Sequence, residues 1–233
     1  MKGSNATEIL SEFSANLTFE DIPKKVLEHI KLLFLDGLGC CIHGNTLPWT
    51  KTLMEVVLNN TDIQECTIIG TNTKTSLLNA TLINSTAGHG FESADIHRES
   101  ILHPNSIIVP VSINVSEKIK NVSGKHFLTA VVAGYEVATR VGSAAGTELL
   151  LRGFHPQGTH GTIASAVTAA KLMTLNKEQT LHAMGIAGSL GAGLMAAQEG
   201  AMVKRFHSGI AAEAGVLAAE LASKQFTGIP NII

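Results

Sequence analysis

The chain has 233 residues, 45% of them hydrophobic, enough to bury a substantial core as one large domain or two small ones. A net charge of −2 and a charged fraction of 15% exclude any global attraction to nucleic acid or acidic lipid, so an anionic ligand must be held by a local cluster of Lys, Arg and His. Aromatics, at 4%, are too few for an aromatic-rich sandwich and favour closely packed helices.

In chain order, Asn5 with Glu8 three residues on resembles a capping box, and Ile9, Phe13 and Leu17 follow at helical spacing. Pro23 suits the first turn of a second helix with the face Leu27, Ile30, Phe34 and Leu38, running into Gly44. Cys40 and Cys41 read as small buried hydrophobes within it; with Cys66 they form neither a disulfide framework nor a zinc pattern. Pro48 opens a third helix ending near Asn59-Asn60, and Cys66–Gly70 is the best strand candidate. Helices are predicted from Thr75 to about Gly90 and from Asn105 to Lys120, with Pro110 tolerable only near a start. A long one capped by Ser123 reaches about Arg140, with Glu136 and Arg140 paired on one face. Helices at roughly 162–173 and 177–187, the glycines 185, 188, 191 and 193, and an Ala-rich helix from about Ser208 to Lys224 complete the pattern. The fold expected is all-α, a multi-helix domain over 1–233 with small residues at the helix contacts and at most a trace of strand. No signal peptide is indicated, and no run reaches the roughly 18 apolar residues of a membrane span, so the expected location is cytoplasmic.

Three polar islands interrupt this apolar chain. His89, His97 and His103 crowd one loop together with Glu92, Asp95, Arg98 and Glu99. Such density suits a loop aimed by a rigid scaffold at one point. Imidazoles titrate near neutrality and move protons, while Glu92 and Asp95 are placed to orient them. A metal site built from Asp95, His97 and one of His103, His155 or His160 is a weaker alternative, because no tight ligand spacing is present. The second island, Gly153 to His160, carries His155; His160 reads slightly better as a helix-start residue. The third, Met202 to Gly209, carries Lys204, Arg205 and His207 beside a helix N-terminus, a natural carboxylate cradle. The glycine run from Gly185 to Gly193 is not a dinucleotide fingerprint, since no strand precedes it.

These segments together resemble the MmgE/PrpD family. The matching stretches are Leu35 to Gly39, Gly88 to Pro110, Gly153 to Thr159, Gly185 to Ser189, Gly193 to Glu199 and Met202 to Gly209, in family order. The resemblance implies a lyase without metal or cofactor, a large helical domain with a smaller lid domain, and a homodimer. By motif, His103 and His155 look like pocket histidines and Lys204 like the substrate-facing lysine. Glu92 stands where the family often has Asp, Ala94 replaces a usual second acid, and Ile96 stands where decarboxylase-like members have a hydroxyl residue. The reading is a hydro-lyase of the 2-methylcitrate dehydratase type, eliminating water from a small polycarboxylate. His103, His155, Lys204, Asp95 and Glu92 are its catalytic candidates, and His97, Arg98, Arg205 and His207 its substrate-binding ones. Within enzymes the alternative is a cis-aconitate-type decarboxylase or an epimerase. Outside them it is a catalytically incomplete binding or assembly subunit. Relatives continue beyond Ile233 through the lid, so pairing with a C-terminal half, and little activity alone, are further expectations.

Overall fold

The computed structural model describes residues 5–59 and 63–233, and its regular structure is helical almost throughout. In α1 (Ala6–Asn16) the Asn5 side chain accepts from the Glu8 amide at 2.9 Å and the Glu8 carboxylate accepts from the Asn5 amide at 3.3 Å. Two donors that a helix start leaves open are thereby satisfied. α2 (Lys24–Gly44) follows Pro23, and α3 (Pro48–Leu58) begins on Pro48, where a missing N–H costs nothing. The predicted far end of α3 at Asn60 lies outside the described residues.

The strand predicted over Cys66–Gly70 shrinks to β1 (Cys66–Thr67), paired antiparallel with β2 (Lys74–Thr75). Thr75 is therefore not helical. The hydroxyl of Ser76 accepts from the Asn79 amide and starts α4 (Leu77–Gly88) after the strand. In α5 (Asn105–Ile119) Pro110 lies well inside the helix rather than near its start. Ser123 caps α6 (Gly124–Leu151), which runs past Arg140 and breaks only at Gly146 (φ 53, ψ −151); the Glu136–Arg140 pair forms at 2.5 Å.

α7 (His160–Leu172) and α8 (Lys177–Leu190) start near their predicted positions. α9 (Val203–Ser223) begins at Val203 rather than near Ser208, which draws Lys204 and His207 into its first turns. Every residue of α7 is buried, with α5, α6, α8 and α9 packed around it. Its Gly, Ala, Ser and Thr side chains are what permit that crowding. A Cβ at Gly215 of α9 would stand 2.5 Å from the Thr162 carbonyl oxygen and 2.6 Å from the Ala166 amide nitrogen of α7. The glycine run contributes in the same way: Gly185 lies against the backbone of Gly228 and Ile229, so it receives the C-terminal segment. No helix among the described residues is long and apolar enough to cross a membrane.

Candidate active site

α4 ends at His89, and the chain then loops through Glu92 and Asp95 before α5 begins at Asn105. Within that loop the Nδ1 of His103 lies 2.8 Å from the main-chain oxygen of Asp95. A carbonyl only accepts, so Nδ1 carries the hydrogen and Nε2 is the reactive nitrogen. The Asp95 side chain turns elsewhere: its carboxylate accepts from the Asn105 amide at 3.0 Å and from the Tyr135 hydroxyl at 2.8 Å. Asn105 in turn donates to Asp36 at 2.6 Å. The Asp95 carboxylate, expected to orient an imidazole, does not do so; the main-chain oxygen of the same residue does. Burial pushes its carboxyl above the usual range, opposed by those two hydrogen bonds.

Gln157 fastens the second island to the first. Its Oε1 accepts from the His103 amide at 3.0 Å, and its Nε2 donates to the His103 carbonyl at 3.1 Å and to Ser106 at 2.7 Å, with Ser208 of α9 at 3.2 Å. At 1% exposure this amide joins all three segments. The site residues that sequence reasoning missed are Gln157, Tyr135, Asn105 and Asp36. Gln157, Asn105 and Asp36 lie inside the stretches that resemble the family, which was the signal for them; Tyr135 lies outside them.

Four imidazoles come together here. The ring centroids of His103 and His89 are 5.0 Å apart, those of His89 and His155 6.1 Å, and those of His155 and His207 5.1 Å. The Nδ1 atoms of His155 and His207 are 2.9 Å apart, so one donates to the other and their tautomers are interlocked. When His155 is the donor, its Nε2 is a base. When His207 is, His155 Nε2 carries the hydrogen. Burial lowers the His155 pKa to about 4, helped by His207 and Lys204; burial also depresses His207, and takes His89 well below the usual histidine range. His155 is therefore neutral at pH 7.

On α9, Lys204 Nζ lies 2.6 Å from the Glu92 carboxylate, and Arg205 lies 3.5 Å from it with its guanidinium 5.3 Å above the Trp49 ring. Glu92 therefore does not orient an imidazole: it pairs the cations, and the Lys204 hydrogen bond holds its carboxyl below the usual range. The helix-start cradle also needs correction, because the Lys204 and Arg205 amides bond the carbonyls of Ala201 and Met202 and are not free.

Residues 8–233 match the family model of the MmgE/PrpD N-terminal domain. The chain belongs to the MmgE/PrpD family. It is 33% identical over 99% of its length to a cis-aconitate decarboxylase of Aspergillus terreus. It is 34% identical over 98% to the cis-aconitate decarboxylase-like protein oryM of Aspergillus oryzae, and 26% identical over 97% to the human cis-aconitate decarboxylase. It covers 48%, 49% and 48% of those three proteins, so it spans about half the length of the curated relatives it matches.

Of the residues read by family motif, His103, His155 and Lys204 come together with Glu92, Arg205 and His207. His97 and Arg98 do not join them. A backbone bridge between His97 and Leu102 turns the His97 ring onto Ser100 at 3.0 Å, and Arg98 is exposed. His97, Ile96 and the Asp95 side chain instead line a cavity of about 590 Å³ between α2 and α6. Asp95, His97 and His103 thus point to separate partners, and among the described residues no three His, Cys, Asp or Glu side chains converge as ligands. His160 is a helix-start residue, its Nε2 3.3 Å from the Ser100 carbonyl.

A histidine held neutral by burial costs stability in acid. His155 gains its proton near pH 6.5 when unfolded but only near 4 when folded, so the unfolded state binds more protons in between and stability falls as pH drops across that window. His155→Phe is expected to lose less stability than the parent between pH 6.5 and 4. Denaturant midpoints compared across that range measure it, and parallel curves would show that His155 is not buried uncharged.

Proposed function

We propose that this chain carries the acid–base and carboxylate-binding part of a lyase that decarboxylates a small unsaturated polycarboxylate of the cis-aconitate type. The observation that supports it best is the meeting of His103, His155 and Lys204, from three remote segments, beside a second cation. The named relatives favour decarboxylation over the dehydration read first from the sequence. Ile96, at the position where decarboxylase-like members have a hydroxyl residue, does not count against decarboxylation, since it is 54% exposed and lines the cavity between α2 and α6.

Lys204 and Arg205 hold substrate carboxylates. The bond from carbon to a departing carboxylate breaks and releases carbon dioxide. Its electron pair forms a new double bond as the original one shifts and takes a proton at carbon. That proton comes from Nε2 of His103 as the imidazolium, which keeps its Nδ1–H on the Asp95 carbonyl and is left as the neutral ring. His155, neutral, donates or accepts a hydrogen bond according to the His207 tautomer. Charge stabilisation of this kind is the largest contribution a positioned site makes.

Because Glu92 already occupies Lys204, a substrate carboxylate has to displace it. Lys204→Ala is expected to abolish binding of cis-aconitate, whereas Glu92→Gln, which frees the lysine, strengthens it severalfold. Calorimetric titration measures both. Incubation with cis-aconitate or 2-methylcitrate, followed by NMR, then separates release of carbon dioxide from loss of water. Binding without either reaction, in the presence of a supplied C-terminal half, favours the non-catalytic subunit.

A further inference from the structure

His89 closes α4 at the base of the imidazole group and is 3% exposed. Neither of its ring nitrogens meets a hydrogen-bond partner on the protein. A neutral imidazole always has one N–H and one lone pair to satisfy, and buried polar groups seldom go unpaired. Its ring neighbours include His103 and His155, and beside its burial it feels the charges of those two rings, Lys204 and Arg205. His103, His207 and Lys204 are each partly exposed, while His89 and His155 lie beneath them. An anion held by Lys204 and Arg205 and reaching inward past His103 would meet the unpartnered His89 ring.

We propose that His89 is a substrate-contacting residue, whose ring N–H donates to the innermost carboxylate oxygen of a bound polycarboxylate. This rests on the polycarboxylate reading above and adds a fourth binding group to it. His89 is suited to the task because it stays uncharged. It gives a directional hydrogen bond without taking part in the proton exchange at its neighbours, and it selects an anion long enough to touch both Lys204 at the mouth and the ring below. His103 and His155, already bonded at Nδ1 to Asp95 and His207, offer only one further nitrogen each. His89 offers two.

The test uses the chain with tricarballylate, a tricarboxylate with neither a hydroxyl to lose nor a double bond. In ¹⁵N NMR of the imidazoles, its addition should shift a ring nitrogen of His89 and slow exchange of its N–H. By calorimetry, His89→Phe, which keeps a flat ring but has no donor, should bind about tenfold more weakly, the loss of one charge-assisted hydrogen bond. His89→Asn, which restores a donor amide, should recover most of that affinity, a rescue that a purely packing role would not give. Tricarballylate that binds and shifts His103 and His155 but leaves His89 resonances unchanged overturns the proposal and spares the polycarboxylate reading, whether or not the variants fold. No binding and no shift at any of the four histidines overturns both.

Discussion

A polypeptide of these 233 residues, assayed alone, is expected to decarboxylate cis-aconitate at least about a hundredfold more slowly than when the second half of a relative-length protein is supplied, since the loss of one well-placed donor already costs about that much. His89 and His155 are buried, but the carboxylate-binding edge is wet: Glu92, the partner of Lys204, has a side chain 55% exposed. Phe154 and Leu194, bridged to each other, and Met202 and Val203, just before Lys204 in the chain, present apolar surface to solvent. Charge interactions in such a place are weakened by water, and excluding water strengthens each of them together. Covering the apolar rim would do both. Carbon dioxide release followed by NMR, with and without the added half, gives the ratio. Equal rates would mean that the catalytic set is complete within these residues and that the exposed rim has no part in turnover.

Much of the helical frame was legible because its signals are local. Asn5 with Glu8, and Ser123, fix a helix start through bonds within one turn, Pro48 does so through its fixed φ and missing N–H, and each stands where expected. The errors fall where long-range packing decides. Thr75 pairs with Cys66 instead of joining α4, and α9 starts at Val203, which leaves Ser208 inside the helix with its hydroxyl against Ser106 and Gln157. The site shows the same division. Residue types suited to proton transfer were visible as polar islands, and His103, His155 and Lys204 do come together. Their partners were not visible. That Asp95 reaches His103 by its carbonyl while its carboxylate goes to Tyr135, forty positions away, depends on how α6 lies against the loop. That Glu92 binds Lys204 rather than an imidazole depends on where α9 begins. No spacing in the sequence encodes either.

Gly44→Ala is expected to be strongly damaging, although it adds a single methyl group. Gly44 is the last residue of α2 and is buried where that helix meets the end of α4. A Cβ there would run into the Ala87 carbonyl oxygen and stand 2.5 Å from its carbon and 2.8 Å from its Cα. All three are backbone atoms, which cannot rotate aside as a side chain can. The same carbonyl accepts from the Gly90 amide at 2.8 Å, so the strain falls directly on the turn that carries His89. Overpacking of this kind costs about 3 kcal/mol, which in a chain of this size lowers Tm by about 6–12 °C. Gly39 of the same helix is the control. It is exposed, an added Cβ meets nothing within 4 Å, and Ala there should stabilise by up to about 1 kcal/mol through helix propensity alone. Opposite signs for two identical substitutions in one helix separate packing from propensity. Thermal melts of both variants, with tricarballylate titrated into whichever remains folded, provide the measurement. If Gly44→Ala melts with the parent and binds as well, α2 does not approach Ala87 so closely, and the placement of His89 that depends on that contact fails with it.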